Sequence, residues 1–375
     1  MVRTDVKALV IGGGLSGLSL GCELAHQSVP SLIIEPRRVY ESDRTWSFWQ
    51  AGPCPYETCQ LGSWSKWAVF SGASSAVRTS HHYRYVSLDS GRVYDQMLQI
   101  LGRSSVKLCT GTHAFGDAVY HPDTERWTVA TSAGDITAEY VFDSRPQPCP
   151  LGTYGQYFMG QEIRTDRPAF DPDMAHIMVF RDHVSGCHID FLYVLPFSTT
   201  HALMEVTRFA AEPPDSNYMM RWLQKEINAQ LSDMSYSVIR REDGFLPMTV
   251  GLEVDTLQNK YVRIGNAGGY ARPSTGYAFQ RTLAASGFYA EKVVAGADHV
   301  RPQLDSALCR WMDSVFLRVI QAFPQQAPDL FLALFRRAAN DRVERFLTEG
   351  RSVLDCLAIM TALPPTPFIR KAIKV

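Results

Sequence analysis

The stretch VKALVIGGGLSG, residues 6–17, decides the fold of this 375-residue chain. Residues 6–11 form a short apolar run that is rich in β-branched side chains, as in the strands of a buried parallel sheet. Three glycines follow, and residues 15–24 then carry apolar side chains at helical spacing. A second apolar run at residues 31–35 completes a β-α-β unit. The sequence therefore predicts an α/β protein with a Rossmann-type first domain.

The glycines of this turn match the pattern G-x-G-x-x-G between a strand and a helix. Gly12 permits the tight turn, Gly14 lets a pyrophosphate approach the backbone, and Gly17 allows the helix to pack closely on the strand. The first N–H groups of the helix would face the phosphates. Glu35, at the end of the second strand, is placed to accept hydrogen bonds from a ribose 2′-hydroxyl and would repel a 2′-phosphate. We therefore expect FAD or NAD rather than NADP, with a ligand-free glycine turn as the alternative.

The chain changes character near residue 154. Four aromatic and β-branched runs, joined by short polar turns, predict a mostly antiparallel sheet with a hairpin at residues 198–200. An apolar strand at residues 261–265 and a helix at residues 277–295 indicate a return to the first domain. The predicted domains are 1–153 and 246–300 for the two parts of the dinucleotide-binding domain, 154–245 for the antiparallel sheet, and 301–375 for a helical C-terminal cap.

Composition excludes several classes of protein. With 37 Lys and Arg against 38 Asp and Glu, the chain lacks the basic excess that most nucleic-acid binders need. Its eight cysteines form no C-x-x-C pair and stand beside no His pair at ligand spacing, so no metal site is expected. The N-terminus lacks the layout of a signal peptide, and the longest uncharged stretch, residues 8–22, is too short to span a bilayer. We expect a cytoplasmic chain whose membrane contact, if any, is peripheral.

A series of motifs follows the glycine turn in a fixed order. They are TWSFW (45–49), FDSR (142–145), GQE (160–162), YVLPFS (193–198), MEVT (204–207), EDGFLPM (242–248) and PSTGY (273–277). Together they resemble the motifs of the bacterial lycopene cyclases, flavoproteins that form the rings of carotenoids. The resemblance extends from Asp5 to about Pro367, nearly the whole chain.

The resemblance implies a fold, a cofactor and a reaction. The fold is that of the FAD-binding aromatic hydroxylases and glutathione reductase: a Rossmann-type FAD-binding domain with an antiparallel-sheet substrate domain. In the family, an acid protonates the terminal C1=C2 bond of lycopene or a related linear carotenoid, and the C5=C6 bond attacks the cation. Loss of a proton gives a β-ionone ring. The reaction is redox-neutral; reduced FAD, kept reduced by NADPH or another reductant, is thought to stabilise the cation.

Glu205 is the candidate general acid. Alternation along residues 201–209 puts it on the same strand face as apolar side chains, where desolvation would raise its pKa. Only a protonated acid can protonate an alkene. The resemblance places Glu205 at the first acidic position of the family's E-[DE]-T motif, whose acid is held to be catalytic. Val206 stands at the second position, which puts in doubt any mechanism that needs two adjacent carboxylates. The alternative is an exposed ion pair with Arg208 or a neighbour.

Further cofactor candidates precede the helix predicted at residues 277–295. Ser274, Thr275 and Gly276 offer backbone N–H groups to a flavin pyrophosphate or to the N1–O2 edge of reduced flavin. A plain helix-capping loop needs the same residue types. Related hydroxylases carry an Asp where this chain has Asn266, which retains hydrogen bonding without the charge.

The substrate-pocket candidates are one acid and five aromatic residues that are able to stabilise a cation through their π faces: Glu162, Trp46, Phe48, Tyr193, Phe197 and Tyr277. Core packing is the alternative for the aromatic residues, and a structural carboxylate is the alternative for Glu162. Asp143 and Arg145 lie either near the flavin or in a plain salt bridge. The structural interpretation is favoured for Glu242 and Asp243.

The C-terminal region offers a second kind of partner. The apolar tract at residues 346–363, with Arg351, Arg370 and Lys371 nearby, is suited to rest on a membrane surface and admit a polyene. A domain-capping helix is the alternative. Two other functions remain open: an FAD-dependent monooxygenase or a cyclase acting on another apolar polyene, and a non-catalytic carotenoid- or flavin-binding protein. The sequence leaves open the number and type of rings, the final base and the oligomeric state.

Overall fold

The computed structural model describes residues 4–181, 186–250, 260–298, 301–339, 341–350 and 352–372. The strands are β1 (Thr4–Ile11), β2 (Ser31–Glu35), β3 (Thr45–Ala51), β4 (Gln60–Trp64), β5 (Lys66–Ser71), β6 (Ser74–Thr79), β7 (Tyr83–Asp89), β8 (Lys107–Thr110), β9 (Ala114–His121), β10 (Arg126–Thr131), β11 (Ile136–Asp143), β12 (Gly155–Thr165), β13 (Ala175–Phe180), β14 (Ile189–Ser198), β15 (His201–Ala210), β16 (Tyr236–Pro247) and β17 (Tyr261–Arg263). The α-helices are α1 (Leu15–His26), α2 (Ser90–Leu101), α3 (Ser216–Leu231), α4 (Phe279–Val294), α5 (Ala307–Ala322), α6 (Ala327–Arg337), α7 (Arg342–Thr348), α8 (Val353–Ala362) and α9 (Pro365–Ala372).

The first sheet has the order β8-β2-β1-β11-β10-β9, and β17 also pairs with β11. The strands β8, β2, β1, β11 and β17 run parallel, while β9 and β10 are antiparallel additions. The predicted strands and helix of the β-α-β unit are β1, α1 and β2. Leu9, Val10 and Ile33 are fully buried, as their apolar run predicts. The predicted Rossmann-type α/β fold is confirmed.

The second sheet has the order β16-β12-β15-β14-β13-β5-β6 and is antiparallel except for the β13–β5 pair. Its predicted hairpin is present: Ser198 pairs with His201 across a turn at Thr199 and Thr200. Helix α3 covers one face, and Asp215 caps it by accepting a hydrogen bond from the backbone N–H of Tyr218.

Two strands of this sheet come from an unexpected part of the chain. β5 and β6 lie within residues 1–153, and β5 pairs with β13 about a hundred residues later. The division at residue 153 therefore does not separate the two sheets, because this pairing is non-local and leaves no trace in the local sequence pattern. The domain boundaries themselves stay a prediction; residues 251–259 and 299–300 of the segment 246–300 lie outside the described residues.

The third sheet and the C-terminal helices close the space between the two larger sheets. The third sheet has the order β3-β7-β4, and Trp49 of β3 packs on Trp67 of β5 and on Phe335 of α6. A buried ion pair joins Arg78 of β6 to Glu344 of α7 at 2.8 Å. Within the described residues, every helix is too short or too polar to cross a membrane.

Candidate active site

A cavity of about 1310 Å³ extends from the turn after β1 to the C-terminal helices. This volume exceeds the roughly 300–1,000 Å³ of a typical ligand pocket and leaves room for more than one ligand. One end is formed by Gly14, Leu15, Ser16 and Asn266, the middle by Trp46, Tyr193, Tyr277 and Glu205, and the far end by Phe316, Met360, Phe368 and Ile369. The nucleotide turn and the candidate acid therefore share one continuous space.

The three predicted glycines have different surroundings. Gly12 has φ +95°, and a Cβ there would lie 2.2 Å from the hydroxyl oxygen of Ser144. A Cβ on Gly17 would lie 1.9 Å from the carbonyl oxygen of Gly12, so the helix contacts the turn at this point. A Cβ on Gly14 would meet a single atom at 4.0 Å, on Arg37. The turn itself requires Gly12 and Gly17, whereas Gly14 leaves open space at the cavity wall.

The N-terminus of α1 has no side-chain cap. Its N-cap residue is Gly14, which has no side chain to accept from the first N–H groups, and Gly14, Leu15 and Ser16 line the cavity. Uncapped N–H groups at a helix start favour an anion. This end of the cavity therefore fits the pyrophosphate of a dinucleotide.

Glu35 already binds protein groups. One carboxylate oxygen accepts from the backbone N–H of Gly13 at 2.5 Å, and the other accepts from the backbone and the Nε of Arg37, each at 2.9 Å. Glu35 is buried and ties the glycine turn to the end of β2. A carboxylate has about four acceptor positions, so these bonds leave capacity for a ribose hydroxyl. That role stays a prediction.

The loop at residues 272–277 is held by the C-terminal helices. Arg272 is fully buried, pairs with Asp313 of α5 at 3.1 Å and donates to the carbonyl oxygen of Phe346. The hydroxyl of Ser274 donates to Asp313 at 2.8 Å, so it is committed to this anchor. Ser274, Thr275 and Gly276 still line the cavity. The loop does not cap α4: the N-cap residue of α4 is Ala278, which makes no side-chain cap hydrogen bond.

Glu205 lies on β15 in the cavity wall, together with Leu203 and Thr207 of the same strand face. Arg208, its alternative partner, instead binds Asp190 at 2.7 Å. The hydroxyl of Thr207 donates to Glu205 at 3.1 Å. Burial and, second, the negative charge of Glu242 raise the pKa of Glu205 to about 8. The carboxyl is therefore mostly protonated at neutral pH, as a proton donor must be.

Val206, the departure from the family motif, faces away from the cavity. It is fully buried in a cluster with Met204 and with Met219, Leu223 and Ile227 of α3. Successive side chains of a strand point to opposite faces, so an acid at position 206 would face α3. The substitution therefore removes no carboxyl from the cavity wall.

Three tyrosines line the same cavity as the acid. The hydroxyls of Tyr85 and Tyr193 are 2.5 Å apart, and Tyr277 lines the same cavity. Burial holds the pKa of all three hydroxyls well above its usual value, so they are neutral. Sequence reasoning named Tyr193 and Tyr277 but missed Tyr85, which lies on a strand of a different sheet and has no motif to mark it. Trp49, at 5.4 Å from the Tyr277 ring, completes an aromatic wall.

Three predicted pocket residues are not among those that line the cavity, so core packing or ion pairing accounts for them. Phe48 stacks on Phe279 with ring centroids 4.8 Å apart, and Phe197 contacts the ring of His201 at 5.0 Å. Glu162 pairs with His201 at 2.8 Å and with Arg240 at 3.2 Å. Burial alone would raise the pKa of Glu162, but His201 and Arg240 outweigh it and lower the pKa. Trp46, Tyr193 and Tyr277 do line the cavity.

Asp143 and Arg145 form an ion pair at 2.7 Å. Asp143 is fully buried and also accepts from the hydroxyl of Tyr261 at 2.6 Å. This ion pair is the salt bridge that the sequence offered as the alternative to a position near the flavin. It fixes the end of β11, whose next residue, Ser144, lines the cavity.

Solved structures define the class of fold. A flavin-dependent brominase superimposes with a TM-score of 0.66 at 13% identity, covering 99% of this chain and 98% of its own. A p-nitrophenol 4-monooxygenase from Pseudomonas putida DLL-E4 gives 0.64 at 16% identity, covering 96% and 99%. The architecture is that of the flavin-dependent monooxygenases and halogenases.

Sequence comparison gives the particular family. The model of the family described as lycopene cyclase protein matches residues 7–373, and the chain belongs to this family, as its motifs predict. A lycopene beta-cyclase of Paracoccus sp. (strain N81106 / MBIC 01143) is 31% identical over 246 residues, which cover 62% of this chain and 63% of the relative. A lycopene beta-cyclase of Pseudescherichia vulneris is 24% identical, covering 96% and 94%. The chloroplastic lycopene beta cyclase of Arabidopsis thaliana is 24% identical, covering 77% and 60%. The match thus spans less than two thirds of the Paracoccus and Arabidopsis proteins.

Proposed function

We propose that this chain is a lycopene β-cyclase, which closes the acyclic ends of lycopene or a related linear carotenoid to β-ionone rings. The observation that carries the proposal is Glu205: a buried carboxyl with a raised pKa in the wall of a largely apolar cavity that includes many aromatic side chains. A protonated carboxyl in such surroundings can donate a proton to an uncharged substrate.

Protonation of the alkene is the step that Glu205 performs. Transfer of its proton to C2 of the C1=C2 bond leaves a tertiary cation at C1. The electrons of the C5=C6 bond then form the bond from C6 to C1, and the cation moves to C5. Loss of the proton on C6 gives the β-ionone ring, so the reaction consumes no electrons. The side chains of Tyr85, Tyr193, Tyr277 and Trp49 line this space, and aromatic rings beside the substrate support a cation.

FAD is the cofactor that fits the other end of the cavity. The uncapped start of α1 and the open space at Gly14 suit the pyrophosphate, while Asn266 and Thr275 line the adjoining wall. When bound, FAD in its reduced form, maintained by NADPH or another reductant, would supply negative charge that stabilises the cation. The aromatic side chains and Glu205 would hold the polyene in the cavity.

A membrane surface is the proposed source of the substrate. Ile369 lines the far end of the cavity and is 58% exposed, so the cavity reaches the surface at the C-terminal helices. Val353, Leu354 and Leu357 of the neighbouring α8 are also exposed. Arg370 and Lys371 follow at the end of α9, while Arg351 lies outside the described residues. These features support a peripherally bound enzyme that takes its polyene from the bilayer.

To test this, the purified chain is first loaded with FAD and reduced with dithionite. It is then incubated anaerobically with lycopene in liposomes, and the pigment is analysed by chromatography. We expect γ- or β-carotene without net oxidation of the flavin. Glu205→Gln should keep its flavin and form no rings, while Asp243→Asn, on the exposed side of β16, should match the parent.

The second candidate is a monooxygenase, which the fold shared with p-nitrophenol 4-monooxygenase favours. It requires oxygen uptake and stoichiometric oxidation of reduced nicotinamide. Unchanged lycopene in protein shown to hold reduced FAD would reject lycopene as the substrate, and other polyenes would be tested next. Ring formation unaffected by Glu205→Gln would reject Glu205 as the acid, and retained pigment binding without turnover would support a binding protein.

A further inference from the structure

Glu242 lies on β16, two strands away from the candidate acid on β15. β12 runs between β15 and β16, and Gly160 of β12 pairs with Glu205 on one side and with Glu242 on the other. Residues that pair across a sheet point to the same face. Glu205 and Glu242 are accordingly both buried and both line the cavity.

Gly160 places no side chain between Glu205 and Glu242 on this face of the sheet. A Cβ at this position would lie 3.2 Å from the Cβ of Glu205 and 3.3 Å from a methyl of Leu203, which is closer than ordinary van der Waals contact. The absence of a side chain lets the two acidic side chains approach over the strand. Their approach explains why the charge of Glu242 acts on Glu205.

The two carboxyls have unequal partners. Glu242 accepts from Nη1 of Arg240 at 2.7 Å and from the backbone N–H of Thr45 at 2.9 Å, and both donors favour an ionised carboxylate. In the part of the chain that the structure describes, Glu205 has a single neutral donor, the hydroxyl of Thr207 at 3.1 Å. Burial raises the pKa of Glu242 as well, but Arg240 and Thr45 oppose this rise, so charge is more stable on Glu242 than on Glu205.

The other charged groups near Glu205 and Glu242 already have ion-pair partners. Arg240 binds Glu162 at 3.2 Å as well as Glu242, so its charge is shared by two carboxylates. His201 contacts Glu162 from the hairpin end of β15. On the other side of Glu205 stand the neutral hydroxyls of Tyr85 and Tyr193. A second negative charge at Glu205 would face Glu242 in a buried wall, where two close carboxyls do not both ionise readily.

We propose that Glu242 is a positioning residue that keeps the proton on Glu205, so that the pair holds one negative charge, on Glu242, and one proton, on Glu205. The only covalent change is the loss of the proton that Glu205 donates to the substrate. The catalytic role of this carboxyl pair rests on the proposed cyclase function. The second carboxyl thus comes from the strand two positions away and not from the next residue in the chain, where Val206 faces α3.

The experiment titrates Glu205 directly. An infrared difference titration of the full-length chain with FAD bound follows the carboxyl C=O band that Glu205→Gln abolishes. We expect Glu242→Gln to lower the midpoint of this band by about one pH unit or more, because removal of a like charge favours ionisation of Glu205. Asp243→Asn, which removes a charge from the opposite, exposed side of β16, should leave the midpoint unchanged, and Glu242→Asp should leave it near the parent value. Should Glu242→Gln not fold, Glu242→Met carries the same expectation.

The outcomes separate this proposal from the proposed function. An unchanged or higher midpoint in the neutral variants would overturn the proposal. In the ring-formation assay, the alkaline loss of activity should move to lower pH in Glu242→Gln by the same interval. A rate that falls equally at every pH would show a merely structural role and overturn it as well. A shifted midpoint in a chain that forms no rings would support the carboxyl pair and reject the cyclase.

Discussion

A carboxyl that gives a proton to an alkene must hold that proton at the pH of the cell. Burial and the charge of Glu242 achieve this for Glu205, at a cost to the folded state. The unfolded chain releases the proton near the usual pKa of glutamate, whereas the folded chain releases it near 8. Stability therefore falls as the pH rises from the unfolded to the folded pKa, because the folded state retains a proton that the unfolded state has lost.

The first prediction concerns this cost. Glu205→Gln removes the titrating group, so we expect it to raise the free energy of unfolding at pH 8 by about 1 kcal/mol or more, with a smaller gain at acidic pH. Denaturant unfolding of both proteins at two pH values measures this. A variant less stable than the parent at both pH values would contradict the assigned pKa shift.

The second prediction concerns activity. Ring formation should proceed at neutral pH and decline as the pH rises through about 8, because Glu205 then loses its proton. Initial rates with lycopene in liposomes, measured with the flavin kept reduced at every pH, give the profile. An activity that instead increases through this interval would indicate that the ionised form of Glu205 is required.

At the level of elements, the turn between β1 and α1 has one glycine for packing and another for the ligand. A Cβ at Gly17 meets backbone at 1.9 Å, whereas a Cβ at Gly14 meets only the end of an arginine side chain at 4.0 Å. Gly14 and Gly17 belong to the same motif but have different roles, one toward the ligand and one in helix packing. Substitution of each glycine by alanine can distinguish these roles.

The third prediction follows from this difference. Gly17→Ala should lower the free energy of unfolding by about 3 kcal/mol, as forced overpacking does. Gly14→Ala should fold normally and retain less FAD, because its methyl occupies the space of the phosphate. Thermal denaturation and flavin absorbance after gel filtration distinguish the two variants. Equal flavin content in Gly14→Ala and the parent would place the pyrophosphate elsewhere.

Sequence patterns predicted the elements whose signal is local. β1, α1, β2 and the β14–β15 hairpin follow from runs, glycines and turn residues that stand together in the chain. The pairing of β5 with β13 and the meeting of Glu205 with Glu242 depend on strands that are distant in sequence. Their register is fixed by packing in three dimensions, so no local pattern announces Tyr85 as part of the site, and the motifs that contain Gly160 and Glu242 do not reveal that these residues lie beside Glu205.

At the scale of the whole molecule, the cavity reaches the surface beside exposed apolar side chains of α8 and α9. Val353, Leu354 and Leu357 lie within little more than one helical turn, so they form one patch. Exposed apolar side chains scattered singly are common, but a patch beside a cavity mouth marks a place of contact. We expect this patch to meet the bilayer.

The fourth prediction tests that contact. The double variant Leu354→Asp, Leu357→Asp should bind liposomes several-fold more weakly and convert liposomal lycopene more slowly, while lycopene in detergent micelles reacts at the parent rate. Val119→Asp, an exposed apolar position on β9 of the nucleotide sheet, is the matched control. Flotation with vesicles and the chromatographic assay provide the readouts. Equal flotation of all three proteins would argue against α8 as the membrane contact.

The anchor of the 272–277 loop orders events during synthesis on the ribosome. The β-α-β unit is translated first. Arg272 can form its contacts with Asp313 and with the carbonyl of Phe346, which fix its loop, only after those residues have been synthesised. Domains of a growing chain fold from the N-terminal end as they emerge. The loop that lines the cavity is therefore fixed only when translation is nearly finished, and we expect a chain that stops short of α7 to leave this loop without its anchor at Phe346.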